Sequence, residues 1–501
     1  MLENSFDDFA PANYGLLQNP NRAHFSRQCL PYRQFAMAAA LYPNRVALLT
    51  ADRPLTFGTL LQVTEQLATG LLGLGLAPGE AAAIVLQDRW EHVPLFLALA
   101  RVGGVHVTIG HNLPEEYIRA ELAELRPRLL IGNGGVSIEE ILSAAGPALP
   151  EVFRDDQAPL AIRFSSGSTG QPKKTVASHR AQALVYQSLT TELQLSSEDV
   201  HLAVGSLAHA ALQVGLAQLM VGGSVVVRPF NKETVWQDCV LYGITNIMLM
   251  PTMVAMALEH PGEIERPITI VTMGATLALP LKRKLAERFR QVRLYDIYAS
   301  TELSLITSLR PSEQMRKPTS AGRPHFSLEV AIFDDDGNPT PVGETGNIYG
   351  RGPMCISNFI GTTLPIPPPG HLAANGWIRS GDLGFLDEDG FLYIRDRRAD
   401  LILSGGERIF PSEVEGAIRE FDGVREVAVI GVPDERLGQR VVAYVESRGV
   451  AAEIIEACSR SLDVHTRPQA IFFVDDLPRT ASAKISRYLV RQRVVSGEFP
   501  S

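Results

Sequence analysis

The sequence predicts an α/β protein with a large N-terminal part and a small α+β C-terminal part, and three observations predict it. Up to residue 298, segments with apolar residues at helical spacing alternate with short apolar runs of strand length. That is the pattern of a parallel sheet covered on both faces. From residue 318 to 396, short strands and tight turns replace the helical period. From residue 397 onward helix and strand alternate again, which puts a boundary near Arg397 and divides the chain into residues 1–396 and 397–501.

Residues 1–30 show no periodicity and read as an irregular arm. Helices are expected over residues 32–41, 59–74 and 91–100, with short buried strands over 81–86, 104–109 and 129–131. An acidic linker follows around Asp155 and Asp156, then a strand over 160–164. Further on come a helix over 180–193 and strands over 200–204, 222–228, 246–250, 268–273 and 292–298. These strands end in small or polar residues: Ser206 to His209, Gly274-Ala275-Thr276, and Ala299-Ser300-Thr301-Glu302. In an open α/β sheet such ends converge on one crevice, so they are candidates for one ligand site. Residues 328–333, 346–350 and 391–394, with turns at 334–337 and 387–390, predict a small β-barrel or a distorted sheet. The tail should carry helices over 413–419 and 451–462 and strands over 427–432, 441–446 and 471–474.

Composition excludes several functions. The chain has 501 residues, 45% hydrophobic and 20% charged, as ordinary soluble proteins have, and this length suggests two to four domains. A net charge of −9 leaves no basic face for nucleic acid or an anionic membrane. Cys29, Cys239, Cys355 and Cys458 form no CxxC pair, which argues against a disulfide framework or thiolate metal site and fits a reducing cytoplasm. The acidic N-terminus lacks a signal-peptide pattern, and no apolar run approaches ~18 residues, so neither export nor a membrane span is expected.

The strand over 160–164 runs into Ser165-Ser166-Gly167-Ser168-Thr169-Gly170, four hydroxyls and two glycines, followed by Pro172 and Lys173. Such a loop can curl its N–H groups inward around phosphate oxygens, with the hydroxyls as extra donors. Alone, a Ser/Gly loop is as readily a surface turn. The preceding strand favours the anion-binding reading. The Walker pattern is absent, because Pro172 stands where its second glycine would be.

Six motifs in order make the chain, from about residue 30 to 490, resemble the adenylate-forming superfamily of acyl- and aryl-CoA synthetases, adenylation domains and beetle luciferases. They are the loop Ser165 to Lys173, Tyr298-Ala299-Ser300-Thr301-Glu302, residues 346–353, Ser380-Gly381-Asp382, Asp396-Arg397 with residues 404–411, and residues 478–484. The resemblance implies two αβ sheets plus a small β-barrel, with a small mobile α+β C-terminal domain. It implies an acyl-CoA synthetase that makes an acyl-adenylate from ATP, with Mg²⁺, and transfers the acyl group to CoA. Lys484 then resembles the adenylation lysine, Glu302 the Mg²⁺-linked glutamate and Thr301 an α-phosphate contact. Asp382 and Arg397 resemble the ribose contacts. Tyr298 would stack on adenine and Asp296 would meet its amino group, with Ile297 and Ile394 also in the nucleotide site. Ser404, Gly405, Gly406 and Arg467 would serve CoA. His209, Met250, Thr252, Gly274, Ala275, Thr276 and Ala299 would line the acid's pocket. With no acidic residue between Leu207 and Gln213 to pair an ammonium, an apolar or aromatic acid is favoured over an amino acid.

Five residues depart from the family's pattern: Lys174, Thr175, Ala299, Ala483 and, at the hinge, Ala399. They leave three alternatives: a ligase with weak adenylation that uses preformed acyl-adenylate, an enzyme loading a carrier-protein thiol, and an eroded nucleotide-binding protein. A homodimer is left open.

Overall fold

The computed structural model describes residues 30–50, 53–111, 113–149, 155–164, 174–205, 207, 210–356, 358–360, 370–419, 421, 423–447, 462–479 and 485–500. The N-terminal part contains two sheets with parallel centres. The larger has nine strands, in the order Arg323–Pro324, Ser304–Leu309, Val292–Ser300, Ile268–Met273, Asn246–Leu249, Val200–Ala203, Ser224–Val227, Val46–Leu49, Pro54–Thr56. The six-stranded sheet runs Asn358–Ile360, Lys174–Ser178, Pro159–Phe164, Val105–Thr108, Ala81–Val85, Leu129–Gly132.

The expected parallel strands are present, and both sheets have antiparallel strands at their edges that the apolar runs did not reveal. Val292–Ser300 pairs antiparallel with Ser304–Leu309, and Pro159–Phe164 with Lys174–Ser178. The strand expected to stop at residue 298 therefore continues to Ser300 and returns as a hairpin. A run of apolar residues records burial, which is the same for either pairing direction.

The two sheets share one wall. Helix His92–Val102 is apolar nearly all round, and Val93, Phe96 and Leu97 join one core while Leu95, Ala98, Leu99 and Val102 join another. A helix buried on every side must lie between layers, and Gly103, at φ 75°, ends it in the left-handed conformation that glycine adopts without strain. Helix His179–Leu193 is started by Ser178, whose side chain accepts from Ala181 N at 3.2 Å.

The β-rich module is a four-stranded antiparallel sheet, Glu329–Phe333, Gly346–Arg351, Ile378–Leu386, Leu392–Arg397. The C-terminal domain has a five-stranded sheet, with Val424–Asp434 paired to Gly438–Ser447 and helices Pro411–Arg419 and Arg487–Val495 packed on it. Most of the helix expected over 451–462 lies outside the described residues. Among the described residues no helix is long and apolar enough to cross a membrane.

His201, wholly buried on a central strand, has Nδ1 2.6 Å from Asn246 Oδ1, and burial lowers its pKa to about 4. The folded protein thus holds it neutral, while the unfolded chain titrates near pH ~6.5. Its contribution to stability is complete above that pH and is lost as the pH falls through about 4. Thermal melts between pH 7.5 and 4.5 should fall less steeply in His201→Gln than in the native chain, whatever the variant's absolute midpoint.

Candidate active site

The hairpin after Val292–Ser300 shapes the site. A bulge between Tyr298 and Ala299 re-aims the side chains that follow. Ser300 Oγ accepts from Leu303 N at 3.1 Å, and the Glu302 carbonyl accepts from Ile356 N at 3.0 Å. Ser304, at φ 61°, occupies a conformation uncommon for a residue with a side chain, and its hydroxyl is held by the Met354 carbonyl at 2.9 Å. Thr301, half-buried, and Glu302, buried, sit on this braced turn.

From the turn the tyrosine reaches the neighbouring sheet. Tyr298 donates to Asp382 Oδ2 at 2.5 Å, and Arg397 Nε lies 3.8 Å from Asp382 Oδ1. Asp382 and Arg397 are register partners on adjacent antiparallel strands, and Gly381 at φ 91° precedes the aspartate. Burial first, then the Asp382 charge and its hydrogen bond, push the Tyr298 phenol well above its usual pKa, with Glu302 adding to the push and Ser380 opposing it. Tyr298, Glu302, Ser380, Asp382 and Arg397 therefore form one cluster drawn from three strands and a turn. Ser380 belonged to a recognised motif and had no role assigned from sequence.

Gly274, Ala275 and Thr276 are exposed at the end of Ile268–Met273, Gly274 at φ 96°, beside Ile297 of the neighbouring strand. Met250 and Thr252, at the start of helix Pro251–Leu258, and Ala299 are half-buried. Ile394, half-buried, packs against the small core of the four-stranded sheet with Ile332 and Ile348.

Asp296 anchors the turn around Ala275 from within the sheet. It is buried, and its carboxylate accepts from Thr272 Oγ1 at 3.1 Å and Leu277 N at 3.0 Å, with Lys282 Nζ at 3.5 Å. Burial raises the pKa of Asp296 and lowers that of Lys282. These contacts fasten the turn, and the carboxylate keeps acceptor capacity for a further donor. Lys282 carried no sequence signal, because its neighbours on the helix are ordinary surface charges.

Lys174, one of the departures from the family's pattern, is held in a buried ion pair. Its ammonium, 5% exposed, meets Glu121 at 2.8 Å and Glu124 at 2.5 Å on helix Glu115–Leu125. Burial alone would lower its pKa; the two carboxylates outweigh that and raise it. The side chain serves packing and points to a helix, so its departure from the family pattern says nothing about phosphate handling.

The hinge is also better tethered than Ala399 suggests. Arg398 bonds Asp335 and, at 2.8 Å, Asn347 Oδ1, while Asp400 accepts from Arg487 and Arg491 at 3.0 Å each. Arg487 also bonds Glu415 and Asp396. Ser404, Gly405 and Gly406 lie on the turn between Ile402–Ser404 and Glu407–Ile409, the glycines exposed at φ 59° and 89°. Arg467 donates from Nε to the Leu462 carbonyl at 3.0 Å, tying its own loop.

Ser165, Ser166, Gly167, Ser168, Thr169, Gly170, Lys173, His209, Ala483 and Lys484 lie outside the described residues. Arg479, within the last motif, and Ile485, just after it, are bridged to one another. Among the described residues no three His, Cys, Asp or Glu side chains converge to hold a metal. A single carboxylate such as Glu302, completed by phosphate oxygens and water, is a donor set that suits magnesium.

An α/β body with its crevice at strand ends, braced by a β-module and joined to a small C-terminal domain, defines the class of the adenylate-forming enzymes. The chain belongs to the AMP-binding enzyme family: the profile of AMP-binding enzymes matches residues 35–359, and that of their C-terminal domain matches residues 413–484. It is 32% identical to a 2-succinylbenzoate–CoA ligase of Bacillus velezensis, over 91% of this chain and 96% of the relative. It is 30% identical to an indoleacetate–CoA ligase of Aromatoleum aromaticum, over 92% and 97%. Among solved structures, o-succinylbenzoate CoA synthetase of Bacillus subtilis with its acyl-adenylate intermediate superimposes with a TM-score of 0.84 at 28% identity, covering 91% and 97%. The same enzyme with ATP and a magnesium ion gives 0.83 at 29% identity, over 91% and 99%.

Replacing Lys174 by Met leaves the buried Glu121 without its cation and should cost about 3 kcal/mol in denaturant unfolding. The double variant Lys174→Met/Glu121→Leu should recover most of that loss.

Proposed function

We propose that this protein is an AMP-forming acyl-CoA synthetase for an apolar or aromatic carboxylic acid. The convergence of Tyr298, Asp382 and Arg397 beside Glu302 carries the reading, in a chain with both parts of the family. Asp382, acceptor-only when ionised, suits the two ribose hydroxyls, and Arg397 lies beside it. The Tyr298 ring, pinned by its hydroxyl, offers a fixed face for adenine. The loop Ser165 to Gly170 with Lys173 holds phosphate oxygens, and Thr301 meets the α-phosphate.

In the first step the substrate carboxylate attacks the α-phosphorus, the bond to the bridging oxygen breaks, and pyrophosphate leaves. Both reactants are anions, so fixed cations and donors must follow the charge as it moves. Lys484 supplies one, brought by the C-terminal domain as it turns about the segment after Arg397. Magnesium, when bound, offsets phosphate charge, and Glu302 would hold it. In the second step the CoA thiol attacks the acyl carbon and AMP leaves. Gly405 and Gly406 allow the pantetheine arm a close approach at the Ser404 turn. His209, Met250, Thr252 and Ala299 border the acid. The domain boundary near Arg397, a cytoplasmic setting and free CoA as acceptor belong to the same reading.

With Lys174 and the hinge accounted for structurally, the complete two-step reaction is favoured over a ligase restricted to preformed adenylate. The test is a panel of acids assayed separately for pyrophosphate, AMP and acyl-CoA, with holo-carrier protein as a second acceptor. Pyrophosphate and acyl-CoA should form in equal amounts with the right acid. Lys484→Ala should slow pyrophosphate formation roughly 100- to 1,000-fold, yet still convert added acyl-adenylate and CoA to the thioester. Pyrophosphate formation unchanged in that variant would remove Lys484 from the mechanism.

A further inference from the structure

Lys282 is a buried cation with sparse compensation. Its side chain is wholly enclosed, its ammonium donates to the Pro318 carbonyl at 2.9 Å, and it stands 3.5 Å from one carboxylate oxygen of Asp296. Lys174, by comparison, meets two carboxylates at 2.8 and 2.5 Å. Burial lowers the pKa of Lys282, and Asp296 opposes that. A Met would fill the space between helix Leu279–Arg288 and strand Val292–Ser300 without desolvating an ion, so packing does not call for a lysine.

The aspartate it faces stands beside the tyrosine to which the base is assigned. Asp296 precedes Tyr298 by two residues on one strand, so both side chains leave the same face of the sheet. Its carboxylate lies under the exposed turn Gly274-Ala275-Thr276, accepting from Leu277 N on one oxygen and from Thr272 Oγ1 on the other. An ionised carboxylate has about four acceptor positions, so these two bonds and the lysine leave room for a ligand's donor.

Adenine and the 6-oxo purines differ at the edge such a group would meet. Adenine carries an amino group that donates; hypoxanthine and guanine carry a carbonyl that accepts. A charged carboxylate only accepts, whereas a protonated one also donates. The charge on Asp296 therefore decides which edge it takes. Burial raises its pKa, and the Leu277 amide, then the Lys282 charge and the Thr272 hydroxyl, pull it back. Without the cation, a carboxyl this deep is pushed further toward its neutral form.

We propose that Lys282 is a positioning residue for nucleotide choice: its ammonium keeps Asp296 charged, so the carboxylate accepts from the 6-amino group of adenine and turns away a 6-oxo purine. This rests on the acyl-CoA synthetase reading, with the base against Tyr298. It adds that base selection depends on a buried pair outside the recognised motifs.

The test is equilibrium binding of ATP and ITP, each with magnesium, to the purified full-length protein by calorimetry, which needs no acid substrate. ITP carries the 6-oxo group without guanine's second amino group. The native chain should bind ATP roughly 100-fold more tightly or better, since acceptor would face acceptor in the ITP complex. In Lys282→Met that ratio should fall about tenfold. Asp296→Asn, whose amide both donates and accepts, should lower it similarly. Lys282→Met/Asp296→Asn should show no further fall, because the lysine acts through the aspartate. The double variant leaves no buried charge unpaired, so its comparison with Asp296→Asn decides the matter where Lys282→Met fails to fold. Equal native binding of ATP and ITP overturns the inference, as does a Lys282→Met chain that keeps the native ratio or loses both nucleotides equally; each leaves the synthetase reading intact. A native chain that binds no ATP and releases no pyrophosphate with any acid defeats the synthetase reading itself.

Discussion

The bond from Tyr298 to Asp382 is the contact on which the geometry of the crevice depends. It joins the nine-stranded sheet to the four-stranded one, and the tyrosine packs against hydrophobic clusters on both sides. The ring can lie there only because the bulge at Ala299 and the braced turn at Ser304 set its direction. A partly buried phenol next to a carboxylate keeps its proton, so the contact stays a donor–acceptor bond across the working pH range. Loosening it would part Tyr298 from Asp382, although the Ala321 and Gly322 backbone bonds to Leu392 would still join the two sheets.

A second constraint acts at the junction with the small domain. Arg487 reaches Glu415 within its own domain, Asp396 at the end of the β-module and Asp400 in the hinge turn. Burial by itself would lower the pKa of this guanidinium, and three carboxylates outweigh that and raise it. The arginine stands three residues after Lys484, so the tether fixes the chain just beyond the residue assigned to adenylation. Buried charge pairs contribute modestly to net stability, but removing one partner is costly, which gives them directional strength. Ala399 itself does little; its neighbours hold the hinge.

The chemistry of this fold is concentrated where strands end. Gly274, Ala275 and Thr276 are exposed there because the backbone leaves the sheet, and Asp296 holds that departure in place from below. Residues that read as ligand contacts thus divide into those facing the crevice and those that shape its walls.

Much of the fold was legible in the sequence, because apolar periodicity reports burial and burial follows layer architecture. The parallel strands from Ala81–Val85 to Val292–Ser300, the β-module and the tail sheet all carry that signal, whereas Val46–Leu49 was not legible as a strand. The motifs around Tyr298, Asp382 and Arg397 were also legible, since glycines and polar residues in fixed order are not what a buried core requires. Side-chain direction was not. Asp296, Lys174 and Arg163 are polar residues on strands next to the site, and sequence treats them alike; Asp296 braces a turn, Lys174 joins a helix across one face of its sheet, and Arg163 faces the interior from the other. Strand alternation decides the face, and only the packed neighbours decide which partner waits there. The sequence by itself determined which layers form and which residues could carry the chemistry. The tertiary structure decided which of them meet, because an ion pair or a hydrogen bond exists only where two distant parts of the chain arrive within a few ångströms of each other.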